Sequence, residues 1–286
     1  MKRLWQVLTV LVLLQVTCLA LADEPLTSSK PTVIALAPHI VEILYEIGAG
    51  EQIIGTTDFA DYPEQAKEIP VIGNYLGLQI ERIIELQPSV IIAWKGGNSN
   101  TDLNKLTSLG FNVIYSQPLE LADVPKDMRL FGKHTHNAEQ AERIASAFEQ
   151  RLAAMRYKYK TLPIQKAFYE SWHQPLSTVA KGSWSHNLLG VCNIENVFAD
   201  AANPYPQVSI EQLLDKDIQI IIQPYSHSLH SPHSSNKQGK YSGYDWAKWP
   251  TIPAVKHHRI IQPNADKLHR MSSRVLDELE LLCESM

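Results

Sequence analysis

Hydrophobic positions along this chain fall into two rhythms. "PTVIALAP" (31–38) is a short apolar run between prolines and reads as a buried strand. In "HIVEILYEIGAG" just after it, Ile40, Ile43, Leu44 and Ile47 step at helical spacing, and Gly48 with Gly50 supplies a stop. The alternation continues with "QIIGTT" as a strand and "DFADYPEQA" as a loop. "LQIERIIEL" is a short helix closed by Gln87 and Pro88, "SVIIAW" a strand and "KGGNSN" a loop. "DLNKLTSLG" is a helix ending at Gly110, and "FNVIYS" a strand. Apolar strands interleaved with amphipathic helices predict an α/β fold whose mostly parallel sheet is covered on both faces.

The rhythm then changes. From Lys126 to Leu162 there is no proline, and Gly132 is the only glycine. Ile144, Phe148, Leu152, Met155 and Tyr159 share one helical face, and Asn137 with Gln140 approximates a capping box. One helix over roughly 137–160 would be on the order of 36 Å long, about the width of a small domain. After Pro163 the alternation resumes. "KAFYESW", "IQIIIQP" and "HRIIQP" read as strands, and "SHNLLGVC", "IEQLLDK" and "SRVLDELELLCESM" as helices. The polar stretch "YSHSLHSPHSSNKQGKYSGYDW" reads as a long surface loop. The expected organisation is two Rossmann-like lobes, 23–125 and 163–286, bridged by a single long linking helix assigned to 126–162.

The two halves also repeat each other. "IERIIELQPSVIIAW" from Ile80 lies on "IEQLLDKDIQIIIQP" from Ile210 without a gap, at an offset of 130 residues. Glu81 falls on Glu211, Glu85 on Asp215, and Val90-Ile91-Ile92 on Ile220-Ile221-Ile222. Each half therefore carries a loop, a helix and a buried strand in the same order.

The N-terminus carries its own signal. "MKRLWQVLTVLVLLQVTCLALA" has Lys2 and Arg3, an apolar run, and Ala20-Leu21-Ala22. This is the layout of a secretory signal peptide (1–22) cleaved after Ala22, with a membrane anchor as the alternative and a lipoprotein site at Cys18 as a further one. Removal of Lys2 and Arg3 takes the net charge from −4 to −6. No basic stripe points to nucleic acid. Export implies an oxidising compartment. Cys192 and Cys283 then remain, as one disulfide or as two buried thiols. A bridge would close 91 residues, worth at most about 4–5 kcal/mol in the chain-entropy model.

No enzyme signature rises from the motifs. The chain has no phosphate-cradling G-x-x-x-x-G-K-[ST], no G-x-S-x-G, no H-E-x-x-H and no C-x-x-C. "GSWSHN" sets Ser183 and Ser185 near His186 in sequence, which does not make a catalytic pair. Eleven histidines invite a metal reading, with His227, His230 and His233 in one loop and His134 and His136 in "GKHTH". That loop is otherwise serine, lysine and glycine, and a polar surface loop is the plainer reading, so no metal site is assigned.

Aromatic residues at loop positions are more informative. Phe59, Trp94 and Trp172 follow predicted strands, where open α/β sheets bind ligands. Tyr75 and Tyr205 precede the two repeated helices, each six residues ahead of its glutamate, so this position is duplicated too. Five such rings from both halves suit a cleft gripping a large flat apolar ligand. Glu81 and Glu211 favour their own helix dipoles. As a matched pair they also suit docking onto a two-fold symmetric basic partner.

These residues resemble the periplasmic substrate-binding proteins of ABC importers, in the class with two lobes joined by one long helix. "IERIIELQPSVIIAW" marks the class, while "AWKGGN", "PYPQVSIEQ" and the D-x-x-x-R of Asp266 and Arg270 resemble its cobalamin (vitamin B12) branch. The resemblance implies that Phe59, Tyr75, Trp94, Trp172 and Tyr205 pack on a corrin in an inter-lobe cleft. It implies that Asp266 and Arg270 hydrogen-bond the ligand edge, and that Glu81 and Glu211 dock to arginines of the permease dimer, whose ATPase subunits complete the importer. It also places a disulfide at Cys192 and Cys283. The implied protein is a periplasmic receptor, monomeric when free, with no cofactor beyond its transported ligand and no covalent chemistry. Haem or a ferric siderophore is the alternative ligand of the same fold, and a metal-dependent periplasmic enzyme using the histidine loop the alternative class.

Overall fold

The structure is a computed structural model that describes residues 30–226 and 243–286. The expected signal segment 1–22 with Cys18, and the loop histidines His227, His230 and His233, lie outside the described residues.

Strand β1 (Val33–Ala35) runs into helix α1 (Pro38–Glu46), whose first turn holds Pro38, where a missing N–H costs nothing. Strand β2 (Ile53–Thr56), the hairpin β3 (Gly73–Asn74) and β4 (Gly77–Leu78), helix α2 (Ile80–Leu86), strand β5 (Val90–Trp94), helix α3 (Asn100–Ser108) and strand β6 (Val113–Ser116) follow. Helices α4 (Val124–His134) and α5 (Ala138–Tyr159) come next. The second half contains β7 (Gln165–Tyr169), the hairpin β8 (Trp172–His173) and β9 (Leu176–Ser177), α6 (Trp184–Leu189), β10 (Ile194–Asn196), α7 (Ile210–Leu214) and β11 (Ile220–Ile222). It closes with α8 (Pro253–Lys256), β12 (Ile260–Ile261), α9 (Ala265–Leu268) and α10 (Arg274–Glu284).

The internal repeat is a repeat of topology. The first sheet has the order β2-β1-β5-β6 and the second β10-β7-β11-β12, all pairs parallel. Counted within its own sheet, each runs second, first, third, fourth. Each sheet has its own antiparallel hairpin, β3-β4 or β8-β9. The matched stretches form α2 with β5 and α7 with β11, the third strand of each sheet.

Period-two alternation sorts the strand residues between cores. Val33, Ala35, Val90 and Ile92 join one cluster with Ala167, Tyr169, Ile220 and Ile222 of the second sheet. Ile34, Leu36, Ile91 and Ala93 face Ile80, Ile83, Leu103 and Leu106 of α2 and α3. Phe168 and Ile221 face Leu213 of α7, Trp246 and Ile252. The shared cluster runs through α5, which buries Ala141, Ala145, Phe148, Leu152, Met155 and Tyr159.

The segment 126–162 is not one helix. α4 ends at His134, Thr135 turns, and His136 takes a left-handed φ of 60° before α5 begins. α4 then packs along α5. A Cβ on Gly132 would stand 2.3 Å from Ala141 Cβ, so glycine here permits the close approach. The expected capping box at Asn137 does not form: its Oδ1 accepts instead from Gln52 Nε2 (3.1 Å), while its Nδ2 donates to the Ile47 carbonyl at the end of α1 (2.9 Å). Arg129 of α4 pairs with Glu142 and Glu149 of α5, while Arg151 and Lys158 of α5 pair with Asp277, Glu280 and Glu284 of α10. "KAFYESW" also divides, into β7 and β8, at Glu170 and Ser171. Cys192 and Cys283 are bonded, with Cα atoms 5.0 Å apart, and fasten α10 to the turn after α6.

Candidate functional site

In a sheet of this order, the crevice opens beyond the carboxyl ends of the first and third strands, where the connections leave in opposite directions. Trp94 is the last residue of β5. Its N–H donates to Asn98 Oδ1 (2.7 Å), and Asn98 Nδ2 donates to the Leu36 carbonyl after β1 (2.8 Å). The tryptophan ring lies over Gly97. Behind it, His39 meets the ring edge-on, with centroids 5.5 Å apart at 83°. Ser116 Oγ donates to Asp127 Oδ2 (2.5 Å), so the 2.9 Å contact between Ser116 Oγ and His39 Nε2 takes its proton from the imidazole. Burial, and secondarily the charge of Arg270, pushes the His39 pKa down to about 3, while burial raises Asp127 to about 6. The helical spacing of α1 marks neither His39 nor its partners 77 and 88 residues away.

The other rings project from turns. Phe59 follows β2 with a φ of 67° and is 52% exposed. Tyr75, 72% exposed, sits at the turn of the β3-β4 hairpin. A bond from Asp58 N–H to the Gly73 carbonyl ties the loop that carries Phe59 to the hairpin that carries Tyr75. Trp172 opens the equivalent hairpin β8-β9, is half-exposed, and donates its indole N–H to the Gln174 carbonyl (2.9 Å). Ser177 of β9 bridges to Gln207, two residues beyond Tyr205. Tyr205 is 55% exposed. Burial of the rest raises its phenol pKa, opposed by a bond from the Trp184 backbone N–H. Trp184 in turn donates its indole N–H to the Leu268 carbonyl of α9 (3.0 Å), tying Tyr205 to the segment carrying Asp266 and Arg270.

Asp266 accepts from Ser226 Oγ. Arg270 is engaged within the protein. It is 9% exposed, and Nη1 donates to Glu42 Oε1 (2.9 Å) and Asp61 Oδ1 (2.6 Å), while Nη2 donates to the Phe59 carbonyl (3.1 Å). Arg274 also donates to Glu42 (2.8 Å), as does Ser272, and Ser273 donates to Glu46. Burial opposes the Arg270 charge, but Asp61 and Glu42 more than offset this and its pKa rises. Burial lifts Glu46 to about 7. These contacts join α1 and the loop after β2 to the segment 270–274, across 228 residues of sequence in the case of Glu42 and Arg270.

Glu81 and Glu211 stand in the first turns of α2 and α7 and are exposed. A bond from Ser209 lowers the Glu211 pKa. Ser183 is the N-cap of α6, accepting from His186 N–H and donating to the Ala180 carbonyl, which commits its hydroxyl to backbone. Among the described residues no group of three or more His, Cys, Asp or Glu is placed to hold a metal ion, and no helix is long and apolar enough to cross a membrane.

Comparison with known proteins agrees with this architecture. The periplasmic binding protein family matches residues 33–266. A vitamin B12-binding protein of Vibrio parahaemolyticus is 33% identical over 93% of this chain and 91% of its own length. That of Vibrio vulnificus is 37% identical over 88% of each. The crystal structure of the periplasmic vitamin B12 binding protein BtuF of Vibrio cholerae superposes with a TM-score of 0.80 at 34% identity, covering 90% of this chain and 96% of that one. A periplasmic haem-binding protein from Roseiflexus has a TM-score of 0.76 at 21% identity, a likeness of fold alone. With this breadth of agreement, the chain belongs to the periplasmic binding protein family.

Proposed function

We propose that this protein captures cobalamin between its two lobes and hands it to an inner-membrane ABC importer, with no covalent chemistry. The observation that carries the reading is the paired placement of aromatic rings. Phe59, Tyr75 and Trp94 come from turns and a strand end of the first sheet, and Trp172 and Tyr205 from the second. Four of them are about half exposed or more, which leaves their faces open to a flat ligand. Each such ring offers on the order of 100 Å², so covering one contributes about 2 kcal/mol before the cost of association. Relatives named for vitamin B12 at 33–37% identity support the same ligand.

On this reading Asp266 meets the amide-bearing edge of the corrin, and Arg270 does so from the position that its bonds to Glu42 and Asp61 give it. Glu81 and Glu211 engage arginines on the two halves of the permease dimer, whose ATPase subunits drive uptake. Residues 1–22 direct export to the periplasm and are removed, and the mature protein works as a monomer. Calorimetric titration of residues 23–286 with cyanocobalamin tests the reading. Saturable heat with a submicromolar Kd is expected, and no saturable signal at micromolar ligand would overturn it.

A further inference from the structure

We propose that Glu42 is a positioning residue for the ligand cleft. From α1 it holds Arg270 against the Phe59 carbonyl and thereby presents the Phe59 ring to the ligand. The proposal rests on the cobalamin reading for its ligand, but not for its geometry.

The Glu42 side chain is fully buried, where a lone carboxylate is costly. It is bonded by Arg270 Nη1 (2.9 Å), Arg274 Nη1 (2.8 Å) and the Ser272 hydroxyl, all from the second lobe. The two guanidiniums so gathered hold one loop of the first lobe. Arg270 bonds Asp61 and the Phe59 carbonyl, and Arg274 stacks 3.7 Å over the Tyr62 ring. Phe59 needs this support. A left-handed φ of 67° is disfavoured for a residue with a Cβ and persists where surrounding contacts over-determine it. Its carbonyl accepts from Asp61 N–H (3.0 Å) within the loop and from Arg270 of the second lobe (3.1 Å). Without Glu42, Arg270 and Arg274 lose their common anchor, so the bond from Arg270 to the Phe59 carbonyl is no longer fixed from α1 and the left-handed φ of Phe59 is held less firmly. The same contacts cross between lobes, so a plain lobe-fastening role must be distinguished from positioning of the ring.

A double-mutant cycle makes that distinction. Glu42→Gln should weaken cyanocobalamin binding about tenfold in the presence of the Phe59 ring and less than twofold in a Phe59→Ala background, because residues in one network couple. Equal loss in both backgrounds would mean that Glu42 fastens the lobes without acting through Phe59, and would overturn the proposal. A second readout needs no ligand. In protein labelled with 4-fluorophenylalanine, the Phe59 fluorine line, assigned with Phe59→Leu, should shift or broaden in Glu42→Gln. It should stay in place in Asn187→Ala, which removes another inter-lobe bond, to the Leu119 carbonyl (2.8 Å). An unmoved line in Glu42→Gln refutes the proposal even if the wild type binds no cobalamin, a result that would separately remove the ligand reading. Should Glu42→Gln not fold, Glu42→Asp, which keeps the charge but shortens its reach, carries both measurements.

Discussion

Adding one methyl group to Gly97 should cost most of the ligand affinity while leaving the protein folded. Gly97 lies beneath the Trp94 indole, and a Cβ there would stand 2.0 Å from Trp94 Cε3 and 2.3 Å from Cζ3. Its backbone is not left-handed, so alanine strains nothing but the ring. The indole must move, because the backbone of β5 is held in the sheet by β1 and β6. Overpacking of this kind costs about 1–3 kcal/mol, seen as a fall in Tm of roughly 2–10 °C for a chain of this size. If the displaced indole loses about 80–100 Å² of contact with the ligand, the loss in binding is about 2 kcal/mol, near 30-fold. Gly96→Ala is the matched control. Its Cβ would approach Trp94 no closer than 3.4 Å, an ordinary contact, and binding should stay within about twofold of wild type. Calorimetry with cyanocobalamin measures both, and near-ultraviolet circular dichroism reports the indole. Wild-type affinity in a folded Gly97→Ala protein would refute the placement of Trp94 in the binding surface.

Reversing both acidic positions, Glu81→Lys with Glu211→Lys, should abolish cobalamin uptake through the cognate importer in proteoliposomes while calorimetric affinity stays within twofold; unimpaired uptake would remove them from docking. Replacing Cys192 and Cys283 by serine should lower stability by up to about 4–5 kcal/mol in urea titrations, since the bond closes 91 residues, and an unchanged midpoint would contradict this. Acid should act through His39. Its folded pKa near 3 lies below the unfolded value of about 6.5, so the unfolded chain binds the extra proton between those limits and stability falls as pH drops through them. His39→Gln, whose amide can still donate to Ser116, should lessen that dependence by up to about 1.4 kcal/mol per pH unit between pH 6 and 4, read as the difference between wild-type and variant urea midpoints. Parallel pH profiles would show that His39 titrates alike in both states.

How much of this was legible in the chain divides along sequence distance. The strands were readable because buried parallel strands are short apolar runs, and the offset of 130 between Ile80 and Ile210 announced two sheets of one topology. The rings were readable as loop residues because turns and strand ends are marked by glycine, proline and asparagine. The helix expected over 137–160 is α5, but the separate α4 before it was not readable, since neither Thr135 nor His136 is a helix breaker. The Asn137 cap failed because its Oδ1 accepts from Gln52, 85 residues away in sequence, while its Nδ2 reaches the carbonyl end of α1, and no local pattern reveals either. Glu42 and His39 sit inside an apolar helical pattern, and their burial becomes intelligible only with Arg270 and Ser116 beside them. Polar groups that are buried with distant partners leave no periodic trace.

Cobalamin capture is tested most directly by what travels with the protein. Mature protein incubated with cyanocobalamin and passed through a gel-filtration column should elute with the corrin visible spectrum at about one equivalent per chain. Elution free of corrin, or retention of haem in preference to it when both are offered, would contradict the central claim.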